Sequence, residues 1–206
     1  MVWLRCMASL MRLLGLALVV VTAACHSAPP STLALSWRGV TDSPKATSMV
    51  QEGFAAAPFS FVLRDVRPDP TAVGGYDDDS TVVHTRDNVA AFAGAKLAEI
   101  LMQSGARLRE VPVASLEAEL LEYKVVEGGT FAGTVSVRAI VHRGGAAWSK
   151  VYTGTSKRWG RTHSAENFNE ALSNALAEVA EQLVTDDAFG HALIGDELPQ
   201  APPPNG

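Results

Sequence analysis

Cysteine is scarce in this sequence. The chain has 206 residues but only two cysteines, Cys6 and Cys25. Cys6 lies in an N-terminal stretch with the composition of a removable export signal, so a processed chain would keep Cys25 alone. One cysteine cannot form an internal disulfide, and a chain of this size can bury a core without disulfides or metals. The lone cysteine therefore needs a chemical explanation of its own.

Positive charge is also in short supply. Lysine and arginine total 17 against 22 acidic residues, which gives a formal net charge of −5. Nucleic-acid binding depends on clustered basic side chains, so the composition argues against a nucleic-acid partner. The sequence has no G-x-S-x-G motif, and its five histidines form no HxH or HxxxH pair. We therefore expect no metal and no other cofactor.

A long apolar run is missing too, and the run that is present is short. Residues 13–24 read LLGLALVVVTAA, follow a basic start containing Arg5 and Arg12, and end at Cys25. A helix that spans a bilayer needs about 20 apolar residues. A basic start, a short apolar run and small residues before a cut site are instead typical of a secretory signal.

The end of this run, VTAAC at residues 21–25, resembles the lipobox read by the lipoprotein-processing peptidase, with Thr22 where leucine is usual. The resemblance implies cleavage between Ala24 and Cys25, a diacylglycerol on the Cys25 sulfur and a third acyl chain on the new amino group. Two or more acyl chains anchor a protein stably. His26 replaces the aspartate that tends to retain enteric lipoproteins in the inner membrane, which favours the periplasmic face of the outer membrane. Ordinary secretion with another cut and an uncleaved anchor are the alternatives.

The whole chain divides into four predicted segments. These are a lipoprotein signal peptide (1–24), a lipidated tether (25–31), one periplasmic domain (32–194) and a Pro-rich tail (195–206). The tail has almost no apolar content, which predicts disorder.

The predicted domain is an α+β two-layer sandwich. Alternating apolar residues predict strands over 32–38, 59–66, 116–126, 134–142 and 147–159, with residues 69–80 as a loop. One helix begins near Thr85 and stops at Gly105, and Ser164 opens a second. Apolar spacings of three and four predict the buried stripe of the second helix and leave Asn169 and Ser173 exposed. The two amphipathic helices are expected to pack on a mostly antiparallel sheet.

An acidic loop is the first candidate site. Asp77, Asp78 and Asp79 lie a few residues before His84. Calcium loops place their oxygens at alternate positions and end on a glutamate, and neither feature is present. The sequence therefore favours a solvated acidic turn over a metal site.

A basic and aromatic cluster is the second candidate. It comprises Trp148, Lys150, Tyr152, Lys157, Arg158 and Trp159. Such a patch could dock lipid head groups, peptidoglycan carboxylates or a partner protein. The alternative, which we favour, is an edge strand whose charges protect it from aggregation.

Residues 117–189 resemble the YajG-like family of uncharacterised bacterial outer-membrane lipoproteins. The resemblance is carried by LLEYKV before a glycine turn, TVSVRAIVHRGG, YTGTSKR and the closing helix ENFNEALSNALAEVAEQLVTDDAF. It covers about a third of the chain and implies an α+β lipoprotein with no known activity. The only functional residue that it implies is Cys25.

These features favour a non-enzymatic lipoprotein that binds or scaffolds another envelope component, either a protein or the cell wall. An accessory lipoprotein subunit of an envelope lipid transporter is the alternative, by fold analogy. A hydrolase would need His84, His142 or His163 to meet a serine or an acid in one cleft.

Overall fold

The computed structural model describes residues 31–39, 44–77, 81–160 and 164–195. Within these residues the chain forms, in order, α1 (Ser48–Ala56), β1 (Phe59–Asp65), β2 (Ala72–Tyr76), β3 (Val82–His84), α2 (Val89–Gln103), β4 (Ala114–Glu127), β5 (Phe131–Arg143), β6 (Ala146–Arg158), α3 (Ala165–Val184) and α4 (Asp187–Ile194). The α+β class is confirmed. The two predicted helices correspond to α2 and α3, and the structure has two further short helices, α1 and α4, that were not predicted.

The six strands form one mixed sheet in the order β3-β2-β4-β5-β6, with β1 also paired to β4. The pairs β2–β3, β4–β5 and β5–β6 are antiparallel, whereas β1 and β2 both run parallel to β4. β4, β5 and β6 correspond to the three successive strands predicted over 116–126, 134–142 and 147–159, and β2–β3 is a further antiparallel pair. The parallel part arises because β4, which follows α2 in the chain, lies beside β1 and β2 and runs in the same direction as both.

β1 and β2 lie end to end along this one edge of β4. β1 pairs with residues from Ala114 to Leu120, and β2 pairs with residues from Val125 to Glu127. The edge is therefore open over a few residues of β4, close to a bulge between Leu120 and Glu122. Backbone groups exposed in such a gap need other hydrogen-bond partners.

The side chain of Arg67 fills this gap. Its guanidinium donates to the carbonyl oxygens of Ala72 at 2.7 Å, Pro70 at 2.7 Å and Tyr123 at 3.1 Å. It also forms an ion pair with Asp65, 2.7 Å from Nη2 to Oδ2. The side chains of Arg67 and Asp65 are only 7% and 11% exposed, so one buried arginine completes the sheet edge that two short strands leave open.

The inward face of the sheet packs against α3. The predicted alternation in β5 is confirmed, because Val135, Val137, Ala139 and Val141 are buried. The predicted stripe of α3 is confirmed as well, since Phe168, Leu172, Ala175, Leu176, Val179 and Leu183 are buried. A Cβ atom at Gly154 would lie 2.0 Å from the carbonyl oxygen of Ala175, so only glycine lets the helix approach this closely.

The strand predicted over residues 32–38 is wrong. Thr32 makes one isolated parallel bridge to His84, and the chain then leaves the sheet. Its backbone bonds to α3 instead: Ser36 N donates to Asn169 Oδ1 and Arg38 N donates to Ser173 Oγ, both at 2.9 Å. The predicted exposure of Asn169 and Ser173 is therefore also wrong, because these side chains are buried beneath the segment.

The loop predicted over residues 69–80 is wrong in part, because β2 occupies Ala72–Tyr76. The predicted start of the first helix is also wrong: Asn88 is the N-cap of α2 and accepts a hydrogen bond from Ala91 N. Thr85 instead accepts a hydrogen bond from Asp87 N in the preceding turn. Its predicted end is confirmed, since Gly105 follows the helix with φ +106°.

Candidate functional site

The predicted processing and lipidation site, Ala24 and Cys25, lies outside the described residues, as do Asp78, Asp79 and His163. Their roles remain predictions. The described residue nearest to Cys25 in the sequence is Ser31.

The start of the described chain is fastened to the sheet edge by backbone hydrogen bonds. His84 N donates to Ser31 O at 3.0 Å, and Leu33 N donates to His84 O at 2.7 Å. The side chain of Leu33 is fully buried. Leu35 N then donates to Asp87 Oδ2 at 2.7 Å. The backbone of residues 31–35 is therefore held against the domain by these hydrogen bonds.

The six residues of the predicted basic and aromatic patch do not form one surface. Successive side chains of a strand point to opposite faces. Trp148, Lys150, Tyr152 and Arg158 lie on the face that packs against the helices, whereas Lys157 lies on the outward face. Trp159 follows the strand and is 81% exposed. A role of these residues in partner binding remains a prediction.

Asp186 accepts hydrogen bonds from two of the patch residues. Tyr152 Oη donates to Asp186 Oδ2 at 2.6 Å, and Lys150 Nζ donates to the same oxygen at 2.8 Å. The other oxygen accepts from Ala188 N at 3.1 Å, which makes Asp186 the N-cap of α4. The cluster thus ties the last helix to the edge strand β6. The patch had a detectable sign of this packing, since Trp148, Lys150 and Tyr152 alternate along the strand.

The ionisation of this cluster fits a structural role. Burial raises the pKa of the Tyr152 hydroxyl above its ordinary value, and the hydrogen bond to Asp186 raises it further. Burial also acts to raise the pKa of Asp186, but hydrogen bonds from Lys150, Tyr152 and Ala188 outweigh it and hold that pKa below its ordinary value. The arrangement is a neutral phenol and an ammonium donating to a carboxylate.

The remaining inward patch residues pack in the same way. The Trp148 ring lies 6.1 Å from that of Phe189 in α4. Arg158 forms an ion pair with Glu170 of α3 and donates to Asn167 Oδ1 at 3.3 Å. These side chains join β6 to the helices that cover it.

The free edge of β6 is partly capped from α3. Thr155 N donates to Glu178 Oε2 at 2.6 Å, and Gln182 Nε2 donates to Thr153 O at 3.0 Å. Side chains that occupy edge groups block pairing with another chain. β6 is an edge strand, but the side chains that occupy its edge here come from α3 and not from the charges of the patch.

His84 lies beside Thr71 and Asp69 at the turn before β2. Thr71 donates its hydroxyl proton to Asp69 Oδ1 at 2.7 Å, and His84 Nδ1 lies 3.1 Å from the same hydroxyl. A nucleophilic hydroxyl donates its hydrogen bond to the histidine that acts as its base, whereas the Thr71 hydroxyl donates to the carboxylate of Asp69. The hydrogen bonds that Asp69 accepts from the Thr71 side chain and backbone hold the pKa of this carboxyl below its ordinary value. The cluster stabilises a turn.

His142 meets a serine across two strands. Ser115 and His142 are register partners in β4 and β5, and both line a shallow cleft of about 320 Å³. A reactive serine needs a hydrogen bond to its base and a group that orients the base. Among the described residues, neither a Ser115–His142 hydrogen bond nor an orienting partner for His142 is present. The cleft brings the two residue types together without activating the serine.

A second cleft, of about 550 Å³, lies at the bulge of β4 on the outward face. Arg67, Lys124 and Val151 contribute to its lining. Both cations are already paired, Arg67 with Asp65 and Lys124 with Glu122 at 2.6 Å. What the cleft offers a ligand is mainly apolar surface.

No group of three or more histidine, cysteine or acidic side chains within the described ranges could hold a metal ion. Asp77 is the one aspartate of the acidic loop that lies in these ranges, and its side chain packs against Gly128 in the β4–β5 turn. A Cβ atom added at Gly128 would lie 2.7 Å from Asp77 Oδ2. Among the described residues, no helix combines the length and the apolar character that crossing a bilayer requires.

Comparison with known proteins finds similar structures only. The sequence matches no protein-family model and no curated protein. A Xanthomonas campestris protein of the DUF330 family is 12% identical with a TM-score of 0.49, and the match covers 74% of this chain and 91% of that chain. The PelC dodecamer of Paraburkholderia phytofirmans is 16% identical with a TM-score of 0.37, over 69% and 93%.

A candidate lipoprotein of Caulobacter crescentus is 12% identical with a TM-score of 0.36, and the match covers 71% of this chain and 96% of that chain. These similarities assign no ligand, activity or assembly to this protein.

Proposed function

We propose that the protein is an envelope lipoprotein that is acylated on Cys25 and whose domain binds or scaffolds another envelope component without catalysis. The sequence of residues 13–25 carries the anchoring part of this proposal. The hydrogen bonds of Ser31 and Leu33 to His84 support it, because the fold then begins six residues after Cys25, as expected of a domain on a short tether. His26 and the YajG-like resemblance favour the periplasmic face of the outer membrane.

Incorporation of labelled palmitate tests the anchor. Cells expressing the full chain should label the protein, and the Cys25→Ala variant should lose the label because the acceptor sulfur is gone. Cys6→Ala is the matched control, since Cys6 lies in the segment that is cut away and its loss should leave labelling unchanged.

Continued labelling of Cys25→Ala would defeat the proposal. Intact-mass measurement of the protein extracted from membranes gives an independent reading. The expected species begins at Cys25 and carries the mass of its acyl chains, and a mature protein that begins elsewhere contradicts the assignment.

The non-enzymatic part of the proposal rests on how the reactive residue types are used. Asp186, Thr71 and Arg67 each make several hydrogen bonds that hold elements of the fold together. Ser115 and His142 are the pair in which an activity would be sought. We expect ester substrates to be hydrolysed no faster by the wild type than by Ser115→Ala, and a rate that falls in this variant would overturn this part.

The binding partner can be sought by crosslinking in intact cells followed by mass spectrometry. Recovery of outer-membrane or cell-wall components supports the scaffolding role. Recovery of an inner-membrane permease together with a substrate-binding protein supports the transporter alternative instead.

A further inference from the structure

We propose that one end of the sheet faces the bilayer and that the indole of Trp159 inserts into the lipid interface there. The inference rests on the proposed anchor at Cys25. The end in question, called the hairpin end, is defined by the residues that pair across it: Tyr76 with Glu127, Glu127 with Phe131, and Phe131 with Arg158. Trp159 is the next residue of the chain.

The length of β4 separates the hairpin end from the opposite end of the domain. β4 has 14 residues, which at about 3.3 Å per residue span about 45 Å. The opposite end holds Ala114, where β4 begins, and the preceding turn with Val111, which is 91% exposed. A bilayer in contact with one end is therefore far from the other.

The tether enters the domain nearer to the hairpin end. Ser31 is bonded to His84, which pairs with Ala72, and the Arg67 side chain links Ala72 O to Tyr123 O. The level of Tyr123 is about 13 Å from Glu127 and about 30 Å from Ala114 at the rise of an extended strand. The entry point of the tether thus lies within reach of the hairpin end.

The tether is too short to allow the reverse orientation. Cys25 precedes Ser31 by six residues, which span at most about 20 Å when fully extended. If the opposite end touched the bilayer, Ser31 would stand about 30 Å above it, beyond the reach of the tether. If the hairpin end touches the bilayer, the same tether spans the distance with slack.

Trp159 is suited to meet an interface at this end. Its side chain is 81% exposed, in contrast to the half-buried Trp37 and Trp148. An exposed indole is costly in water, and tryptophan is enriched at bilayer interfaces, where its ring is apolar and its N–H remains hydrated. The acyl chains supply the affinity, the length of the tether sets which end of the domain faces the bilayer, and the indole makes the contact there.

Charge at the hairpin end does not favour attraction to anionic lipid. Lys157 is exposed near Trp159, but Asp77 and Glu127 lie at the same end. The contact is therefore made by the ring, and it should form on zwitterionic lipid and persist at high salt, where charge interactions are screened.

Quenching of tryptophan fluorescence by brominated lipid tests the orientation. The acylated full-length protein, with palmitate on Cys25 verified, is reconstituted into phosphatidylcholine vesicles whose acyl chains carry bromine. We expect the wild type to lose the Trp159 part of its emission, while Trp159→Phe, which keeps Trp37 and Trp148, loses none.

The opposite end provides the matched control. Val111→Trp added to the Trp159→Phe variant places an exposed indole there, and its emission should not be quenched. Quenching of this control, or an unquenched Trp159 in verified acylated protein, overturns the orientation. So does a Trp159 emission that shifts to the blue without quenching, because a protein would then cover it. Loss of the palmitate label itself would instead defeat the anchor on which the inference rests.

Discussion

Two ion pairs near β4 show how differently the buried edge gap and the exposed outward face of this sheet are built. Arg67 and Asp65 are paired inside the gap between β1 and β2, with side chains 7% and 11% exposed. Arg138 and Glu119 are paired on the outward face at 2.6 Å, with side chains 44% and 30% exposed. The geometry of the two contacts is similar, and their surroundings are not.

The difference lies in what each pair replaces. Arg67 supplies donors to three backbone carbonyl groups, and one of them, Tyr123 O, lies on the stretch of β4 that neither β1 nor β2 covers. Water can satisfy the outward pair if either partner is lost. A buried charge without its partner is strongly destabilising, whereas an exposed pair contributes little. Burial and backbone contacts, more than the length of the bridge, should therefore rank these interactions.

The largest effect is expected for Arg67→Met. The change leaves the Asp65 carboxylate buried without a cation and removes the donors to Ala72, Pro70 and Tyr123. Breaking a buried pair in this way costs about 3–5 kcal/mol of unfolding free energy, measured by urea denaturation. Adding Asp65→Leu to the variant should recover part of the loss. A single variant as stable as the wild type would show that the gap is not closed by this pair.

An intermediate and pH-dependent effect is expected for Asp186→Asn. Asparagine can still cap α4, so the variant mainly removes the charge that Lys150 and Tyr152 contact. The expected loss at neutral pH is about 1–2 kcal/mol, because hydrogen bonds to a charged group are stronger than neutral ones.

The sign of the pH dependence follows from the pKa of Asp186, which is lower in the folded protein than its ordinary value of 3.8. A carboxyl with a depressed folded pKa contributes stability above its unfolded pKa and loses it as pH falls through the folded one. Urea midpoints of wild type and Asp186→Asn should therefore differ at pH 7 and converge as the pH falls below about 4. A gap that widens in acid contradicts the assignment.

The smallest effect is expected for Arg138→Ala. Exposed ion pairs contribute about 0.2–1 kcal/mol, and salt weakens them further. A double-mutant cycle with Glu119→Ala should give a coupling energy in this range that shrinks when the salt concentration is raised. A coupling as large as that of the Arg67 pair would remove the distinction between the buried pair and the exposed pair.

The parts of the fold that the sequence predicts well are local. β5 alternates apolar and polar residues and pairs with its neighbours in the chain through short turns, so its buried face can be identified from period alone. The helix α3 has its cap at Ser164 and a stripe of apolar residues at helical spacing. In both cases the residues that decide the structure are close together in sequence.

The parts that the sequence predicts poorly depend on distant contacts. Gly74 and Gly75 favour a loop, yet they lie in β2, where a Cβ at position 74 would approach Val125 O within 2.8 Å. The alternation over residues 32–38 favours a strand, yet the partner of this segment is a helix. The sequence alone does not distinguish a glycine that lets a neighbouring backbone approach closely from a glycine that forms a turn.

The candidate functional residues also fall into those identified from neighbouring residues and those that depend on distant contacts. Cys25 is identified by adjacent residues, and its modification is a prediction that the domain structure does not address. The patch on β6 required knowledge of what covers the strand, because Asp186 approaches Tyr152 and Lys150 only once α4 has docked. The alternation of Trp148, Lys150 and Tyr152 was the available signal, and it indicates a shared face but not the occupant of that face.

The parallel pairing of β1 with β4 has a consequence for how the chain folds while it is synthesised. Phe59 pairs with Ala114, and Asp65 with Leu120, so β1 leaves the ribosome well before its partner strand. During that interval its apolar face has no sheet to join, and delayed pairing exposes a nascent chain to aggregation. The first half of the domain must therefore wait for the second, and a holding chaperone would act most usefully between the emergence of Asp65 and that of Leu120.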